Sequence, residues 1–397
     1  MRDLLIVLGF LAFAALSALI FMPFRSVEPK VAQVVVSEVI ETQVDVVVDQ
    51  VEETINVAEE IVNQAEETIE DVIDDIAEIP GDIISINTFE TLPAVAMGVA
   101  IDPDKGYYVE EIGDGLYWLT EGTYTTMFMT TGEGVIVIDA PPSIGDRYLA
   151  AVAEVTDEPI THVIYSHSHA DHIAGASMFP EDATYIAHAV TYQQLREGMG
   201  EHNRFPWGVF VGGGPIPLPT ETFRRHYTLE VGHQILELTY RGPAHQAGNL
   251  YIYAPRQKTL LLIDVIFPGW SPFKDLAIAE QVPVFINAHD QILGYDFNHL
   301  VSGHLNRLAT RADVYTQREY ILDVEANAAQ ALQTIDFMAI AAEVGFLNPW
   351  RLFDRYLDEV AQMCNDLTVH TWQDRLAGVD VFTFDHCMVM AESLRID

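Results

Sequence analysis

Ser166-His167-Ser168-His169-Ala170-Asp171-His172 is the stretch on which the reading of the fold turns. It follows the β-branched run from Ile160 to Tyr165, which reads as a strand. In an extended chain alternate side chains share a side, so His167 and His169 face one way. A helix beginning after His169 would turn Asp171 and His172 toward the same space, and an acidic group suits a helix N-terminus. Neutral imidazoles and a carboxylate are the donors that suit zinc and similar divalent ions. The chain has 14 histidines, so three of them with an aspartate at these offsets exceeds what composition supplies. One short loop can therefore donate ligands to two neighbouring ions.

Working outward, four more segments fall in a consistent order. Val135-Ile136-Val137-Ile138-Asp139 lies upstream. Downstream come Gly242-Pro243-Ala244-His245 with Gly248-Asn249, then Leu261-Leu262-Ile263-Asp264, then Ser302-Gly303-His304. With the central loop they resemble the motifs of the metallo-β-lactamase superfamily, over roughly residues 115–313. The resemblance implies an αββα sandwich. It also implies a first ion on His167, His169 and His245, a second on Asp171, His172 and His304, and Asp264 bridging them. Asp139 would support the ligand loop without binding metal. Two divalent ions, zinc by the resemblance, would make activated water available near neutral pH. Asp171 would hold the nucleophile as well as bind metal, so no serine or cysteine nucleophile is required.

The expected activity is hydrolysis of an ester, lactone, thioester or related bond in a small-molecule substrate. Several β-lactamases of the family carry cysteine or serine where Asp264 stands, which disfavours a β-lactam substrate. A mononuclear iron enzyme of the persulfide dioxygenase kind shares the histidine spacing and stays open. A non-catalytic, membrane-tethered scaffold is the third reading. The stretch from Gly198 to Pro219, rich in Gly and Pro, carries Phe205, Trp207 and Phe210. Trp207 is a candidate for the substrate pocket, as are Phe267, Trp270 and Phe273, which follow Asp264 closely. Arg241 or Lys274 would hold a substrate carboxylate. His162, His188, His226, His233, His289, His299, His370 and His386 lack ligand spacing and read as structural.

The flanks suggest further parts. Residues 1–26 contain the apolar run Leu4 to Phe24, long enough to span a bilayer as a helix, with signal-peptide cleavage as the alternative. Residues 27–81 form an acidic segment with a heptad row at Val48, Ile55, Val62, Ile69 and Ile76. That pattern predicts a helical stalk, a possible coiled coil and homo-oligomer contact, ending at Pro80-Gly81. A catalytic domain over residues 82–313 and a C-terminal helical segment over residues 314–397 follow. Thr310 and Asp313 predict a capping box for a helix starting near Arg311. The net charge of −39 repels phosphate backbones and argues against nucleic acid as a partner. The expected location is membrane-anchored and extracytoplasmic. Cys364 and Cys387 are the two cysteines, and they read equally well as a pair or as buried thiols.

Overall fold

The computed structural model describes residues 92–198 and 205–397. The apolar run Leu4 to Phe24 and the heptad segment lie outside the described residues. Among the described residues no helix is long and apolar enough to cross a membrane.

Strand β1 (Tyr108–Gly113), β2 (Leu116–Thr120), β3 (Thr125–Thr130) and β4 (Val135–Ile138) form an antiparallel meander. Helix α1 (Arg147–Val155) crosses over to β5 (Ile160–Ile164), and β6 (Thr184–His188) and β7 (Glu221–Phe223) extend the sheet in parallel. Short α2 (Ala170–Ile173) and α3 (Ala189–Gly198) link these strands. The resulting seven-stranded sheet runs in sequence order. The second sheet has the order β12-β11-β10-β9-β8, from β8 (His226–Val231), β9 (Gln234–Thr239), β10 (Tyr251–Ala254), β11 (Thr259–Leu261) and β12 (His299–Val301).

Strands β2, β3, β4, β10 and β11 are buried along almost their whole length because both faces of their sheets are covered. Trp118, Met127, Ile136 and Ile164 point inward and meet Leu236, Ile252, Leu261 and Val301 of the second sheet. Their neighbours Leu119, Phe128, Val137 and Val163 point outward against Tyr148 and Ala151 of α1 and Leu195 of α3. The outer face of the second sheet, with Tyr251, Leu260 and Leu300, is covered by α4 (Val282–Leu293), α5 (Arg311–Thr334), α7 (Pro349–Trp372) and α8 (Val379–Ile396). The layers are thus helix, sheet, sheet, helix. Helix α6 (Phe337–Val344) packs near the start of α7.

Helix α5 begins with the capping box expected of Thr310 and Asp313. Its side chains Tyr320, Val324 and Ala328 join the same apolar cluster as Leu260 and Leu300, so the core runs through residue 313 without a break. Cys364 and Cys387 are paired and join α7 to α8 inside this core. Strand β1 was not expected from the sequence, which is acidic there and ends in a register shift between Glu111 and Gly113.

Candidate metal centre

The site lies where both sheets end. The ligand loop leaves β5, and its position is set by backbone contacts on either side. Leu250 N–H donates to Ser166 O at 3.0 Å, and Ala140 N–H donates to His172 O at 2.7 Å. Asp139 Oδ1 accepts from Ser166 N–H at 2.7 Å. Ser166 Oγ meets His167 Nδ1 at 2.9 Å and so leaves Nε2 for the cavity. Ser168 Oγ donates toward Gln194 Oε1 and Gln246 Oε1, at 2.9 and 3.0 Å. Asp139 and Asp264 both have positive φ, 53° and 64°, a conformation costly for a residue with a Cβ and common at functional sites.

All seven expected ligands converge. His167, His169, His245 and Asp264 form one group and Asp171, His172 and His304 another, with the ligand atoms of each group within 4.8 Å of one another. Asp264 touches both. Its Oδ2 lies 3.3, 3.1 and 3.5 Å from Nε2 of His167, His172 and His245, and its Oδ1 lies 2.9 Å from His304 Nε2. His245 Nε2 and His169 Nδ1 are 3.0 Å apart. Two donors on one tetrahedral ion with bonds of about 2.0–2.2 Å stand roughly 3.3–3.6 Å apart, close to these separations. Buried His167 Nε2 and His172 Nε2 have no partner but the Asp264 carboxylate, Asp264 Oδ1 has none but His304 Nε2, and His172 Nδ1 has none among the described residues. Unpaired buried polar atoms are costly, and divalent ions would satisfy them. The donor set therefore fits a two-ion centre.

His167, His172, His245 and Asp264 form a buried floor, while His169, Asp171 and His304 are partly open. Gly303 permits the last ligand to approach. Its φ is +91°, and a Cβ there would stand 2.6 Å from Ile263 Cγ2 and 3.2 Å from His172 Cε1.

Burial pushes the His167, His169 and His245 imidazoles down to about 4, so their lone pairs are free at neutral pH. Burial also opposes a charge on His172, but Asp264 and Asp171 override it and raise the group to about 9. Burial likewise opposes ionisation of Asp264, yet His172 and His304 hold it well below the usual carboxylate range. Burial raises Asp139 to about 7, against the pull of His172 and Ser166.

One contributor was not legible in the sequence. Tyr124, in the β2–β3 turn, donates its hydroxyl to Asp171 Oδ2 at 3.1 Å and packs its ring against His172 and His304. Burial and the Asp171 carboxylate push its phenol far up. Of the aromatics after Asp264, Phe267 is the one at the centre, stacked on His304 with ring centroids 5.9 Å apart. Trp270 instead packs over Gly378 and the helical core, because the chain has already turned away toward the α7–α8 connection. Arg241 stacks on Tyr295 and Lys274 pairs with Asp385 at 3.6 Å, so both cations are already engaged. Trp207 lines a cavity of about 380 Å³ with Phe205, Pro206, Phe210, Val211 and Ala170, the residue between ligands His169 and Asp171.

A family model described as the metallo-beta-lactamase superfamily matches residues 119–313. These residues belong to the metallo-beta-lactamase superfamily. Among curated proteins, the chain is similar to the 2,4-dinitroanisole O-demethylase subunit alpha of Nocardioides sp. (strain JS1661), 24% identical over 241 residues. That match covers 59% of this chain and 66% of the relative, a little under two thirds of its length. Solved structures similar to it include a metallo-beta-lactamase from Pontibacter korlensis, at 18% identity and TM-score 0.45, covering 54% of this chain and 99% of that one. Metallo-beta-lactamase IND-7 is similar at 18% identity and TM-score 0.43, covering 54% and 96%.

Proposed function

We propose that the protein is a metal-dependent hydrolase, with zinc the expected ion, that cleaves an ester, lactone, thioester or aryl ether bond in an uncharged small molecule. The observation that carries this reading is the convergence of seven donors into two groups joined by Asp264. When bound, two divalent ions supply an activated water and polarise the electrophile. His167, His169 and His245 offer neutral nitrogens to one ion. Asp171, His172 and His304 would serve the other, with Asp264 in contact with side chains of both groups. Asp171 sits on the open rim, where its carboxylate accepts the Tyr124 hydroxyl and would orient the attacking water. The completeness of the second group favours two-ion hydrolysis over one-iron oxygen chemistry.

The cavity beside Ala170 supports an apolar or aromatic substrate portion, being lined by aromatic and aliphatic side chains within the usual size range for small-molecule sites. The O-demethylase relative is named for an aryl methyl ether, consistent with a ring in that cavity. The net charge of −39 disfavours anionic substrates. The paired cysteines in the helical core support an oxidising compartment, in keeping with an exported, membrane-anchored protein.

The test is to load the full chain with zinc and screen aryl esters, lactones, thioesters, aryl ethers, β-lactams and persulfides. Chelator-sensitive hydrolysis of a member of the first four classes is expected. Oxygen consumption with a persulfide, or hydrolysis that survives complete metal removal, would contradict the proposal.

A further inference from the structure

The segment from Val265 to Ile278 follows Asp264, and its backbone is stitched to the C-terminal helices rather than to a strand. Gln317 of α5, which is 1% exposed, takes the place of a strand partner. Its Oε1 accepts from Phe267 N–H at 2.8 Å and its Nε2 donates to Val265 O at 2.6 Å. The second Nε2 hydrogen faces His289 Nε2 at 2.9 Å. His289 Nδ1 lies against the carbonyls of Phe285 and Ile286, which can only accept, so Nδ1 carries the proton and Nε2 accepts from Gln317. Every polar group of the glutamine is thus committed, and its orientation is fixed.

Farther along, Ser271 N–H donates to Ala377 O at 2.9 Å, and Ala377 N–H donates to Gly269 O at 3.0 Å. His386 Nε2 donates to Phe273 O at 3.1 Å, while its Nδ1 accepts from the Tyr320 hydroxyl at 2.8 Å. The segment ends in four consecutive left-handed residues, Asp275, Leu276, Ala277 and Ile278, with φ between 54° and 60°. Left-handed conformations of this kind persist only where the surroundings hold them. Gln317, Tyr320, Ala377 and His386 all lie beyond residues 119–313, the region matched by the family model.

We propose that Gln317 is a positioning residue for the metal centre. It holds the backbone that carries Asp264 on one side and, through Phe267, braces His304 on the other. The C-terminal helices are then part of the metal site's frame. This rests on the reading of the seven donors as a metal centre, and not on the reaction assigned to it.

Gln317→Met in the full chain tests it, since methionine keeps the length and removes all three hydrogen bonds. The readouts are the Zn2+ dissociation constants, by chelator competition, and the melting temperature of the metal-free protein. Metal affinity should weaken about 10–100-fold, the usual effect of losing a group that orients ligands. Val324→Ala, a buried change in the same helix away from the segment, should lower the metal-free melting temperature and leave affinity unchanged. If Gln317→Met does not fold, Gln317→Glu serves: it keeps the acceptor for Phe267 N–H, and a partial loss of affinity is expected. Either folded variant binding zinc as tightly as wild type overturns the proposal, as does a wild-type chain that binds no ion. Metal binding without hydrolysis would overturn only the assigned reaction.

Discussion

The two halves of the metal centre are held in different ways. The ligand loop after β5 is self-supporting: Ser166, Asp139, Ser168 and Gln246 fix it from within the two sheets. The Asp264 segment pairs with the Ser302 carbonyl at 3.0 Å and accepts Asn249 Nδ2 at Ile263 O, 2.8 Å away, but beyond Asp264 it leans on Gln317, Ala377 and His386. A local motif can thus place half of a centre, while the other half depends on helices that enter the chain after the last ligand. The comparison also separates what a short pattern encodes from what only docking creates.

The sharpest way to break the comparison is at the group both halves share. Asp264→Ala should abolish turnover by roughly a thousandfold or more, as loss of one member of an interdependent set does. Steady-state kinetics of the zinc-loaded variant would check this, and activity within tenfold of wild type would remove Asp264 from the centre. On the self-supported side, Asp139→Ala leaves Ser166 N–H without its acceptor. Metal affinity should fall about 10–100-fold by chelator competition, with the C-terminal helices unaffected. The smallest effect concerns the helical brace and acid. Burial holds His386 down to about 4, so it stays neutral when folded while the unfolded histidine takes a proton near 6.5. The unfolded state therefore binds more protons between these values, and stability is lost as pH falls from about 6.5 to about 4. The slope from this one group is about 1.4 kcal/mol per pH unit. Denaturant unfolding of metal-free His386→Asn should show a shallower loss over that window than wild type.

The sequence made the first half of the centre readable because its ligands sit five residues apart or closer, directly after a strand that reads cleanly. His245, Asp264 and His304 were readable only as motifs in order, since none has a second ligand beside it. The sandwich was likewise foreseeable from β2 to β5, whose apolar runs match two covered faces. Tyr124 gave no signal: it is one tyrosine among threonines, and its value comes from the β2–β3 turn reaching across to Gly303, where Thr125 N–H donates at 2.9 Å. Gln317 is similarly mute, a single polar residue in an amphipathic helix until α5 docks on the second sheet. Trp270 and Phe267 lie three residues apart, and only the path of the chain after Asp264 decides which ring meets His304.

Elemental analysis of the folded, zinc-dialysed chain tests the central claim most directly. The account predicts two tightly held divalent ions per chain in the wild type and fewer than two in Asp264→Ala. A folded wild-type protein that retains none would contradict it.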